Sequence, residues 1–149
     1  MTRSYPEQAQ TALNLQLAIK PGHSKAVAQL VTDHQAQIYE SMLRIGTIHF
    51  LRFLFLPLPI EDSRTLFVIT SYDGELDTYL AQFCYHLSDL FNTLYVHMDP
   101  APPLPVQEHV QETIDFVRKY NVETPLYSAY PQCTVLNIWS RGCARGGGQ

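Results

Sequence analysis

Residues 46–80, GTIHFLRFLFLPLPIEDSRTLFVITSYDGELDTYL, decide how the chain is read. Thr47 to Leu56 is dense in β-branched, aromatic and aliphatic side chains, and only His49 and Arg52 interrupt it, so it reads as a strand. Pro57, Pro59, Glu61, Asp62 and Ser63 form the connection, and Thr65 to Tyr72 reads as the antiparallel return strand. Successive strand side chains point to opposite faces. The first strand then offers Ile48, Phe50 and Leu54 on one side and Leu51, Phe53 and Phe55 on the other. Burying three such side chains contributes about 1.5–3 kcal/mol each, so both of its faces are expected to be covered.

Toward the N-terminus, residues 1–10 are polar and read as a frayed lead-in. Leu13, Leu15, Leu17 and Ile19 then alternate with Asn14, Gln16, Ala18 and Lys20, the period of a strand with one face on a core. Pro21-Gly22 ends it. Val27, Leu30, Val31, Ile38, Met42 and Ile45 recur at helical spacing, predicting one amphipathic helix from Ser24 to Ile45, with His23 or Ser24 as cap and Gly46 as stop. His34 falls on its apolar stripe and is expected at the edge of the core.

Toward the C-terminus, Asp73 is the expected N-cap of a long helix whose stripe runs from Leu76 through Tyr79, Leu80, Phe83, Cys84, Leu87, Leu90, Phe91 and Leu94 to Met98. His86 and His97 lie on its polar face, three turns apart, and cannot share a metal. A proline-rich loop, residues 99–105, leads into another helix with the stripe Val106, Val110, Ile114 and Val117, ending near Asn121. Residues 126–130 are expected as the last strand. Thr134 is expected to cap a short helix burying Val135, Ile138 and Trp139, and residues 141–149 are expected as a flexible tail.

Composition bounds the class. A chain of 149 residues with 46% hydrophobic and 16% charged residues fits a single domain, expected over 1–149 with an ordered core of about residues 11–140. The formal charge of -4 offers no basic stripe for phosphates. Neither nucleic acid nor an anionic membrane is therefore an expected partner. Three cysteines, Cys84, Cys133 and Cys143, without CxxC spacing argue against a disulfide framework or a zinc site. With no signal-like or spanning apolar run, the expected location is cytoplasmic. Phosphate-binding glycine loops, HExxH and GxSxG are missing from the sequence.

The order strand, helix, strand, strand, helix, extra helix, strand gives an α+β, ferredoxin-like βαββαβ domain with an insertion before the last strand. Its four-stranded antiparallel sheet carries both main helices on one face. The doubly apolar strand then predicts a homodimer with two sheets packed face to face. Locally, TIHFLRF, SYDGELDTYL and SAYPQCTV resemble segments of the dimeric α+β-barrel superfamily. The likeness is to a group of bacterial proteins, mostly uncharacterised, in which a His-Phe-x-Arg strand precedes a Tyr-Asp-Gly turn. It extends from Leu13 to Trp139. The superfamily includes cofactor-free monooxygenases and haem-dependent peroxidase and chlorite-dismutase relatives, so the resemblance implies a fold more firmly than a reaction.

His49 and Arg52, three residues apart on one strand, are expected on opposite faces. Arg52 is expected inside the barrel beside Asn14 and Gln16, paired with an acid or clamping an anionic ligand. His49 is expected near the sheet end beside Tyr72, Asp73 or His34, where a carboxylate can orient an imidazole for proton transfer. Cys84 is expected as packing, and Cys133, near a helix start, as a thiol open to a lowered pKa. The leading expectation is a protein that binds a small, partly apolar molecule between the sheets through Arg52, His49, Tyr72, Asp73, Asn14 and Gln16. The alternatives are an oxidative enzyme, cofactor-free or haem-dependent, and a non-catalytic assembly module. Catalytic residues are left unassigned, and no metal or cofactor is expected, with haem as the alternative that would need a histidine to reach the iron.

Overall fold

The structure is a computed structural model that describes residues 8–140. The frayed lead-in, apart from its last residues, and the expected flexible tail lie outside the described residues. A three-stranded antiparallel sheet, order β1-β3-β2, is built from β1 (Gln10–Ala18), β2 (Ile48–Leu56) and β3 (Thr65–Asp73). Six helices accompany it among the described residues: α1 (Ser24–Asp33), α2 (Gln35–Ile45), α3 (Leu76–His86), α4 (Ser88–Tyr95), α5 (Val110–Tyr120) and α6 (Val135–Trp139). None is long and apolar enough to cross a membrane.

The core lies between one sheet face and the helices. Leu13, Leu15 and Leu17 of β1 stand opposite Thr70, Val68 and Leu66 of β3, and Tyr79, Phe83, Leu87 and Leu94 pack onto them. This side is filled: it leaves a void of about 20 Å³, no larger than one water needs. Burial also explains the chemistry of its polar members. Tyr79 donates to Thr70 Oγ1 at 3.1 Å, and desolvation pushes the Tyr79 and Tyr95 phenols far up. Cys84 packs in this core as expected, its thiol raised by burial.

Of four local helix expectations, three are corrected and one, the Gly46 stop, is met. The helix over residues 24–45 is broken at His34 (φ -95°, ψ 8°), whose Nδ1–H donates to the Leu30 carbonyl at 2.8 Å, an oxygen it shares with its own backbone N–H. Its start follows His23 without a side-chain cap, because Ser24 Oγ donates to the Glu61 carbonyl instead. Gly46 stops α2 in the left-handed region at φ +68°, which glycine adopts without the Cβ penalty. The long helix from Asp73 likewise bends at the wholly buried Leu87 (φ -123°), dividing it into α3 beside α5 and α4 beside α1.

Residues 126–130 form no strand. Pro125 and Pro131 remove backbone donors, and Ser128 Oγ captures the Tyr130 N–H at 3.1 Å. The chain after α5 meets β1 earlier, through one antiparallel bridge between Leu15 and Asn121 and the bond from Val122 N–H to Asn14 O. A β-bulge at His49 sets Ile48 opposite Tyr72 and Phe50 opposite Ser71. Ile48 therefore enters the helix-covered core instead of sharing the face of Phe50 and Leu54.

Candidate functional site

The sheet face away from the helices carries three rows set by strand register: Ala12, Ser71 and Phe50; Asn14, Ile69 and Arg52; Gln16, Phe67 and Leu54. No described element covers it at β2, where Phe50 is 74% and Leu54 43% exposed. Arg52 sits among them, exposed and without an ion pair or hydrogen bond among the described residues. Asn14 is on the same row, but its amide donates to Val122 O and Thr124 Oγ1, both at 3.0 Å, and so ties the segment after α5 to β1. Gln16 lines a recess of about 270 Å³ at the β1 edge with Thr65, Pro100, Phe116 and Tyr120. Ser71 Oγ is wholly buried on this face without a partner, a cost of about 1–3 kcal/mol unless something else satisfies it.

His49 and Asp73 form a second group at the far end of β2. The bulge turns the imidazole toward the end of β3, where Nε2 stands 2.7 Å from Asp73 Oδ1. Their side chains are only 5% and 9% exposed. The other carboxylate oxygen accepts the Val135 N–H at 2.7 Å. Asp73 is therefore not the cap of α3, which follows Glu75 without a side-chain cap bond. Its carboxylate instead holds the first turn of α6, to which Thr134 adds a capping box with Asn137. Since an ionised carboxylate only accepts, Nε2 carries a hydrogen toward Asp73, and in the neutral imidazole Nδ1 keeps its lone pair.

Tyr72 joins neither group through its ring face, which stacks on Tyr79 with centroids 4.2 Å apart. Burial raises its phenol, and its edge borders an open recess beside β1, Leu76 and residues 121–126. The six site residues thus fall into an open-face set (Arg52, Asn14, Gln16), a sheet-end pair (His49, Asp73) and a core tyrosine. Of α6, only Val135 is buried; Ile138 and Trp139, expected inside, are about half exposed. Cys133 is buried and is not a free thiol, which removes the reading of it as a reactive one.

One pair escaped sequence reasoning. His23 and His97 lie 74 residues apart, yet their Nδ1 atoms meet at 2.9 Å where α1 begins and α4 has ended. Desolvation first, then His23 and Lys20, lower the His97 pKa. No sequence signal joins these residues, because only the return of α4 to the end of β1 brings them together.

The open face of the sheet offers no histidine to a haem iron. All six histidines are described, none belongs to the rows of the open face, and the one on a strand, His49, is turned to Asp73. Among the described residues, no group of three or more His, Cys, Asp or Glu could hold a metal ion. No family model, curated protein or solved structure matches this chain.

Proposed function

We propose that this protein binds a small, partly apolar anion between the open faces of two copies of itself, in a dimeric α+β barrel of ferredoxin-like order. The observation that carries this reading is the uncovered apolar face with an unpaired Arg52 in its middle row. Leaving Phe50, Leu54 and their neighbours in water forfeits about 25 cal/mol per Å² of apolar surface. A second copy related by a two-fold axis offers the same apolar rows in return. Sheet order β1-β3-β2, with the Leu15–Asn121 bridge on the free side of β1, supports the ferredoxin-like order. In the dimer Arg52 orients a carboxylate or similar anion, while Gln16, Phe116 and Tyr120 border one end of the space.

Sedimentation equilibrium at micromolar concentration tests the assembly. A dimer that Phe50→Lys converts to monomer is expected, and a wild-type monomer sinks the reading. The ligand is tested with an apolar anionic dye, anilinonaphthalene sulfonate, whose affinity for the dimer should fall about tenfold in Arg52→Ala, on the scale of one charge-assisted contact. A visible absorption spectrum of the purified protein checks the oxidative alternative. A Soret band would replace the proposed ligand with haem.

A further inference from the structure

The imidazole of His49 borders a second opening, away from the middle rows of the open face. A cleft of about 380 Å³ lies between α2, the start of β2 and α6, bordered by Tyr39, Leu43, His49, Phe50, Ile138 and Trp139. Its lining is aromatic and aliphatic except for the histidine and the Tyr39 hydroxyl. The His49 side chain is more than nine-tenths buried, and Nε2 is fixed by Asp73. Nδ1 has no hydrogen-bond partner among the described residues. His49 itself lines the cleft, and among the described residues Ser71 Oγ, not His49 Nδ1, is the wholly buried side-chain polar atom without a partner.

A buried acceptor in an apolar, aromatic cleft selects for a specific chemistry. With the imidazole neutral, Nδ1 offers only a lone pair, so the ligand must donate a hydrogen. It must otherwise be apolar and flat enough to lie against Trp139 and Phe50. We infer that this cleft binds a small phenol or enol, with its O–H donating to His49 Nδ1 and its ring or conjugated plane against Trp139. The cleft shares Phe50 with the open face but does not use Arg52, and the inference stands if the Arg52 reading falls.

Trp139 is the only tryptophan of the chain, so its emission reports occupancy directly. Titration of the full-length protein with para-cresol should quench or shift that emission saturably. The methyl ether of para-cresol, alike in shape but lacking the donor, should bind about tenfold more weakly, the scale of one hydrogen bond to a desolvated partner. Leu43→Arg, at a half-exposed position on the cleft wall, should abolish the change, and His49→Gln should weaken it about tenfold. Arg52→Ala should leave it as in wild type. Absence of a saturable change overturns the inference. So do equal binding of cresol and its ether, full binding by Leu43→Arg, or loss in Arg52→Ala. Should His49→Gln fail to fold, the cresol and ether comparison on the native protein decides alone.

Discussion

The two faces of one sheet have opposite fates. On the helix side, Leu66 and Val68 of β3 are buried, and Tyr79 and Thr70 satisfy each other within the core. One residue along the strand in each case, Phe67 and Ile69 turn to the other side, beside exposed Leu54 and Arg52 on β2. On β2 and β3 both faces carry large apolar side chains, while β1 gives the helix side Leu13, Leu15 and Leu17 and the open side Ala12, Asn14 and Gln16. Apolar patterning therefore sets which side chains share a face, while the rest of the chain sets which face is dry.

The sharpest way to break that comparison is to truncate one residue from each side. Leu66→Ala, at 0% exposure, should lower unfolding stability by about 2–5 kcal/mol at every protein concentration. If the open face is an interface, the wild-type urea midpoint should instead rise with protein concentration, and Leu54→Ala should remove most of that rise. A concentration-independent wild-type midpoint would mean that the second face stays bare.

His49 and Arg52 give the next test, since the same strand sends one polar side chain into protein and leaves the other in water. Asp73→Ala strips His49 and the Val135 N–H of a common acceptor and should cost about 2–3 kcal/mol in urea unfolding. Arg52→Ala, at an exposed position without partners, should change monomer stability by less than about 0.5 kcal/mol. A cost at Arg52 as large as at Asp73 would place the guanidinium in a structural pair. Smaller still is the neighbouring cap: Thr134→Ala should cost about 1 kcal/mol and should expose α6 to faster amide exchange without disturbing the sheet.

The least effect is expected from acid. Folding lowers the His97 pKa below its usual value of 6.5, through desolvation, His23 and Lys20. The unfolded chain therefore binds this proton more readily than the folded one. The stability that His97 contributes is present above pH 6.5 and is lost as pH falls through the folded value. Urea midpoints measured across that window should decline for wild type and decline less for His97→Gln. An equal slope in both would assign the acid loss to other groups.

Much of this was legible in one dimension. Alternation in residues 13–19 and the density of β-formers in residues 47–56 and 65–72 point to the three strands, and Gly46 to the stop of α2. The opposed placement of His49 and Arg52 followed from their spacing, although the bulge at His49 then moved Ile48 to the covered side. Helix continuity through His34 and Leu87 was misread, because a stripe of apolar residues persists whether or not the backbone bends between two segments. The last strand failed for a local reason: prolines and Ser128 withdraw the backbone donors that a ladder needs.

By itself, then, the sequence determined the residues that share each strand face and each helix stripe, because side-chain period is a property of the local backbone. Tertiary structure alone decided that Asp73 holds His49 and the start of α6 instead of α3. It also decided that His23 meets His97 and that a cleft opens beside Trp139. Those pairings depend on where separate elements come to rest, and the distances that make them hydrogen bonds exist only after the chain has packed.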